Sequence, residues 1–220
     1  MQGNESTLTP ILAKTCRKDE KAMRRLMWIP AIASLLAVPV LAPAAAWDLD
    51  PNHTAIQFKV KHMVVSNVRG NFEKFSGTVL YDEADVTKSS ADVTIDLASV
   101  NTRVEKRDAD LRSPNFFDVA KYPTMTFKSK KVEKVADGKL RMIGDLTLHG
   151  VTREVALDVE GPTAAIKDPQ GNTRVGGQAT ARINRKDFGL SWHKLLEGGG
   201  LVVGDDVDIT IDVEIVRKKG

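Results

Sequence analysis

Two alternating runs joined by a tight turn limit what this chain can become. Leu146 and Leu148 fall on one parity and Asp145, Thr147 and His149 on the other; after Gly150, Val155, Leu157 and Val159 alternate with Glu154, Ala156 and Asp158. Side chains on a strand switch faces at every residue, so the stretch reads as a hairpin with one apolar and one polar face. Gly150 supplies the backbone freedom that the turn demands. A sheet with one oily face has to bury it, and the rest of the chain repeats the pattern.

Ile56, Phe58, Val60 and His62 share a face, as do Val93, Ile95 and Leu97. Met125 and Phe127 open another strand, and Asp137-Gly138 forms a hairpin turn into Leu140 and Met142. The stretch Val68–Tyr81 is punctuated by Gly70 and Gly77 and reads as bent. Val175–Ile183 is rich in small residues, with Gly176, Gly177, Ala179 and Ala181. The cleanest period of two is the last, with Val207, Ile209, Ile211, Val213 and Ile215 on one side. One segment breaks the pattern. Thr102 and Glu105 have capping-box spacing, which predicts a short surface helix over 103–112 with Thr102 at its N-cap. Phe116 and Phe117 follow in an irregular segment that reads either as a plug for one end of a barrel or as a satellite cluster under a loop. Trp192–Leu196 reads as one helical turn ended by glycines. Arg185 and Asp187 flank one residue and read as a local pair. About eight strands with one inserted helix imply an antiparallel barrel or a sandwich; helical crossovers, which a parallel sheet requires, are missing.

The formal charge of +3 misleads. Residues 1–46 hold six of the 32 Lys and Arg and three of the 29 Asp and Glu, so the remainder carries 26 of each. That balance gives no reason to expect nucleic acid. Arg24-Arg25, an apolar run from Leu26 to Leu41 and Ala44-Ala45-Ala46 have the layout of a cleaved secretory signal, with cleavage after Ala46. The run is short and contains Pro30 and Pro39, which disfavours a retained membrane anchor. Residues 1–22 precede the signal, which leaves Met1 and Met23 as alternative starts. The only cysteine, Cys16, lies in this leader, so residues 47–220 form no disulfide.

Catalytic and cofactor signatures are missing: the sequence has no G-x-S-x-G, H-E-x-x-H, phosphate loop or dinucleotide fingerprint. His53, His62, His149 and His193 form no pair at metal-ligand spacing. His62 shares parity with Phe58 and reads as a hydrogen-bonded rim or core histidine before a ligand.

Several segments, in this order, resemble the YceI-like polyisoprenoid-binding family: Phe58-Lys59-Val60-Lys61-His62, Gly70-Asn71-Phe72, Thr102 with Arg107-Asp108 and Leu111, Asn115-Phe116-Phe117-Asp118, Lys121-Tyr122-Pro123, Phe127-Lys128-Ser129, Gly144 through Thr152, and Arg185-Lys186-Asp187-Phe188-Gly189. The resemblance spans residues 47–217. It implies an all-β, eight-stranded antiparallel lipocalin-like barrel, exported to the periplasm, with an apolar tunnel for an isoprenoid-type lipid, polyprenyl or quinone-like. It supplies no catalytic residue, no metal ligand and no cofactor beyond the bound lipid. On this reading the ligand meets Phe58, Val60, His62, Phe72, Phe75, Phe116, Phe127, Leu146, Leu148, Arg185 and Trp192, with His62, Arg185 and Trp192 at the mouth. An inner-membrane protein partner and a homodimer are compatible with it. The rival reading is a haem or redox protein with a histidine axial ligand, and a third is an enzyme using the tunnel as its active site.

Overall fold

The computed structural model describes residues 45–197 and 199–217. The expected signal sequence up to Ala44, Cys16 and both alternative start methionines lie outside them. Twelve strands are described: β1 (Ala45–Leu49), β2 (Ala55–His62), β3 (Ser66–Phe72), β4 (Phe75–Tyr81), β5 (Ser90–Asp96), β6 (Val100–Asn101), β7 (Thr124–Ala136), β8 (Lys139–Leu148), β9 (Val151–Glu160), β10 (Ile166–Lys167), β11 (Thr173–Asn184) and β12 (Val203–Arg217). One α-helix, α1 (Glu105–Arg112), separates β6 from β7. No described helix is long and apolar enough to cross a membrane.

The sheet closes on itself. Its ring runs β1–β4–β5–β7–β8–β9–β11–β12 and returns to β1 through Asp48 opposite Val216, every pairing antiparallel. This is the expected eight-stranded barrel, and closure removes the open edges that a flat sheet would present. Three of the long strands are broken. Strand β12 pairs with β1 near its C-terminal end and with β2 from Val203 to Asp212, so β1 and β2 are two pieces along one edge. Likewise β3 and β4 run beside them, and β6 continues β5. Ala45 and Ala46 already pair with Tyr81 and Leu80, so β1 begins two residues before the expected boundary at Trp47.

The two ends of the barrel are built differently. At one end, where β2, β8 and β11 finish, the interior is filled. Phe117 packs against Phe72 with ring centroids 5.9 Å apart. Phe188 and Leu190, from the β11–β12 connection, are 1% and 6% exposed in the same cluster. The segment with Phe116 and Phe117 is therefore a plug; Phe116 lies 5.4 Å from the Trp192 ring and joins the two covering segments. At the other end, the turns 82–89, 137–138 and 161–172 surround an opening.

Three local expectations are corrected. Thr102 does not cap α1: its N–H and Oγ donate to Asp108 Oδ1 at 2.9 and 2.5 Å, and Val104 occupies the N-cap without a side-chain bond. The Thr102 hydroxyl is thus spent on a buried carboxylate. Trp192–Leu196 is not helical; the chain doubles back, with Leu195 bridged to Leu201 and Val202 N–H donating to Lys194 O at 2.9 Å. Arg185 pairs with Asp205 at 2.9 Å, not with Asp187.

Candidate functional site

Inward parity on β12 places Ile209, Ile211, Val213 and Ile215 along one wall of a cavity of about 200 Å³. Strand β11 contributes Val175, Gly176, Gly177 and Ala179, whose small volumes leave the space open. Toward the plug the walls narrow to Ile95, Met125, Phe127 and Leu146; toward the opening they end at Tyr81, Val86, Ser89 and Pro162. Six residue steps from Ile209 to Ile215 span about 20 Å of strand, or about 15 Å along the axis of a barrel with the usual strand tilt. That is about half of a bilayer's ~30 Å hydrocarbon core.

Among the described residues no Asp, Glu, Lys, Arg or His lines the cavity. Polar side-chain atoms come from Thr54, Tyr81 and Ser89. The Thr54 hydroxyl is engaged with Glu214, donating to its carbonyl at 3.2 Å and accepting from its N–H at 3.1 Å. Ser89 Oγ accepts from Asp82 N–H at 3.1 Å. Burial, then the Glu83 and Asp82 carboxylates, push the Tyr81 phenol above its usual pKa, so it stays a neutral hydroxyl at the rim. Trp47, fully buried, sets its ring edge-on to Tyr81 at 5.5 Å, and its Nε1 has no hydrogen-bond partner among the described residues. Such a site offers shape, an oily wall and a few neutral groups at its rim. It holds no nucleophile–base pair.

Of the expected ligand contacts, Phe127 and Leu146 line the cavity. Phe72 and Leu148 are buried in the core toward the plug, Phe58 packs on Phe72 at 5.7 Å, and Phe75 packs against the same cluster. Val60 and His62 lie half-buried on β2, opposite Val207 and Val203. Phe116 and Trp192 stack on each other over the plug. Arg185 is 4% exposed and its guanidinium is engaged: it donates to the carbonyls of Gly204 at 2.9 Å and Leu190 at 2.5 Å, and to Asp205. The three residues expected at the mouth thus gather at the plugged end. Sequence reading missed Tyr81, Met142 and Pro162 as lining residues, while the small residues of β11 suggest spare volume. Parity carried the signal for Tyr81, which follows Val79 on the inward face, but nothing local distinguishes a wall that faces a void from one that faces a core.

Outside the open end a polar clasp joins four segments. Arg174 of β11 donates to Asp50 Oδ2 at 2.5 Å, to Asp168 Oδ2 at 2.8 Å and to Glu214 Oε1. Arg174 holds the Asp50 carboxyl far below the usual carboxylate range, with His53 adding to the effect, and draws Asp168 down to about 2. Asp50, His53 and Glu214 offer ligand atoms within 4.8 Å of one another. The Arg174 guanidinium already supplies their positive charge.

Comparison with known proteins is consistent across the whole barrel. The YceI-like domain pattern matches residues 47–215. A UPF0312 protein of Vibrio cholerae is 36% identical over 200 residues, covering 89% of this chain and all of that protein. Among solved structures, the Campylobacter jejuni YCEI protein is 36% identical with a TM-score of 0.63, over 72% of this chain and 90% of that one. A polyisoprenoid binding domain from Saccharophagus degradans shares the fold at 20% identity and a TM-score of 0.56, over 80% of this chain and all of that domain.

Proposed function

The chain belongs to the YceI-like domain family, and on that premise we propose that its barrel binds a long-chain isoprenoid-type lipid, polyprenyl or quinone-like, and sequesters or carries it without catalysis. The observation that carries this reading is the cavity itself: about 200 Å³ of apolar space with no charged lining residue among the described residues. The fold shared with a domain described as polyisoprenoid binding supports it.

Burying a lipid chain stabilises by about 0.8 kcal/mol per CH₂, and a bilayer offers nearly the same. The protein is therefore suited to shielding a chain across water, and selectivity rests on cavity length, shape and the rim groups. The signal-like leader fits work in the periplasm, between membranes, with an inner-membrane protein as donor or acceptor. The haem alternative lacks a residue: none of the four histidines lines the cavity, so no imidazole is placed there to take an axial position.

The test is organic extraction of protein purified as its host exports it, followed by mass spectrometry. A stoichiometric isoprenoid-type lipid is expected. Ala179→Phe, which places a ring in the cavity, is expected to fold and to lose the lipid. Recovery of no lipid from the native protein, or equal recovery from the variant, overturns the reading.

A further inference from the structure

At the plugged end the β2–β3 connection carries Met63, Val64 and Val65, exposed by 41%, 65% and 84%. Its backbone is as unusual as its surface. Met63 and Val64 both have left-handed φ, +51° and +63°, in a turn closed by Val65 N–H donating to His62 O at 3.2 Å. Two successive positive φ values are what Asn-Gly ordinarily supplies in a tight hairpin. A β-branched valine there is an outlier that costs conformational energy. The tip therefore bears two separate penalties, strain and apolar exposure, that a polar Asn-Gly turn would remove. Features of this kind persist where function needs them.

The tip has a second component. Met63 N–H donates to Val202 O at 2.9 Å, Val202 N–H donates to Lys194 O at 2.9 Å, and Leu195 bridges Leu201, so the 194–202 loop lies beside the turn. Leu195 is 67% exposed. Gly200 makes room for the turn: a Cβ there would sit 3.2 Å from Val64 Cγ2. Charge around the tip is one-sided. Residues 59–69 contain no carboxylate, and Glu197 is the single one between Leu190 and Gly204. Lys61, Arg69 and Lys194 make no ion pair among the described residues, in contrast to Lys59, which is held by Asp208 at 2.9 Å.

We propose that this tip docks the barrel onto an anionic lipid bilayer, with Met63, Val64, Val65 and Leu195 entering the interface and Lys61, Arg69 and Lys194 meeting phosphate headgroups. Unpaired cations around the apolar residues select a membrane over a second copy of the chain, whose tip would bring the same lysines into repulsion. The cavity opens at the opposite end, so a docked barrel turns its mouth toward the aqueous side, and docking tethers rather than loads. The inference does not depend on what the cavity holds.

The experiment is flotation of the exported protein with phosphatidylcholine vesicles, with and without phosphatidylglycerol. The native protein is expected to float with the anionic vesicles. Each apolar tip side chain removed is expected to weaken partitioning roughly tenfold, so V64N/V65S/L195S loses about a thousandfold. K61Q/K194Q is expected to abolish the preference for anionic vesicles. M63N/V64G separates docking from folding: it is expected to melt at a higher temperature than the native protein and to float less. Failure of the native protein to float, equal flotation with both vesicle types, or unchanged flotation of the triple variant overturns the proposal. So does a concentration-dependent dimer that the triple variant dissolves.

Discussion

The two ends of this barrel solve the same problem with opposite chemistry. The plugged end is held from within, by Phe72, Phe117, Phe188 and Leu190 packed into one cluster. The open end is held from outside, by Arg174 gripping Asp50, Asp168 and Glu214 and so joining two connections to β11 and β12. A hollow cannot be stabilised by filling it. Concentrating the larger apolar cluster at one end, with a smaller one around Trp47 and a polar clasp on the outer surface at the other, leaves the middle free.

The largest effect is expected in the filled interior of the plugged end. Phe188 is 1% exposed, and Phe188→Ala removes a full aromatic side chain from a filled interior. Such truncations cost about 3–5 kcal/mol, which denaturant titration will measure. A loss below about 1 kcal/mol would mean that the plugged end carries little of the fold's stability, and the contrast between the ends would collapse.

The open end gives a smaller effect with a pH signature. Asp50 is 7% exposed, and Asp50→Asn keeps its shape while removing the anion facing Arg174, at an expected cost of about 1.5–3 kcal/mol. Asp50 and Asp168 have folded-state pKa values depressed by Arg174. Their stabilisation is therefore complete above the usual carboxylate value of about 4 and drains away as pH falls toward the folded value of about 2 for Asp168. Measured from neutral pH downward, the native protein should lose stability steeply in that window and Asp50→Asn less steeply. Parallel acid limbs would show that the clasp contributes nothing.

How much of this was legible beforehand follows from the same contrast. Period-two alternation fixed strand identity and inward parity, because a one-residue slip would turn Ile209, Ile211, Val213 and Ile215 to solvent. The glycines and alanine of β11 gave a fair sign that volume was left over. The position of the void along the barrel was not legible. Phe58, Phe72 and Phe127 share inward parity, yet only Phe127 reaches the cavity, since what lies opposite each depends on shear and on the plug that loops supply. Arg185, expected to pair with Asp187 and to stand at the mouth, is instead engaged by the carbonyl of Leu190 and the first residues of β12, Val203, Gly204 and Asp205. The capping box failed for a similar reason, as a buried Asp108 outcompeted the helix N-terminus for Thr102.

The finest test compares two hairpin glycines, one at each end. Gly138 turns β7 into β8 at the open end with φ +67°, and a Cβ there would meet nothing within 4 Å. Gly150 turns β8 into β9 at the plugged end with φ +74°, and a Cβ there would lie 2.6 Å from Tyr122 Cε1. Both Ala substitutions pay for a left-handed backbone, about 1 kcal/mol each. Gly150→Ala must also displace the Tyr122 ring, which is set against His149 at 4.5 Å, while the Tyr122 N–H is tied to Asp118 O at 2.8 Å. Overpacking of that kind adds about 1–2 kcal/mol. Both variants add the same methyl group to a glycine of left-handed φ, so the difference in their unfolding free energies reports chiefly the rigidity of the surroundings. If the plugged end is the packed one, Gly150→Ala costs the more by that margin; if the two losses are equal, Tyr122 swings aside freely, and the segment between α1 and β7 covers the barrel without gripping it.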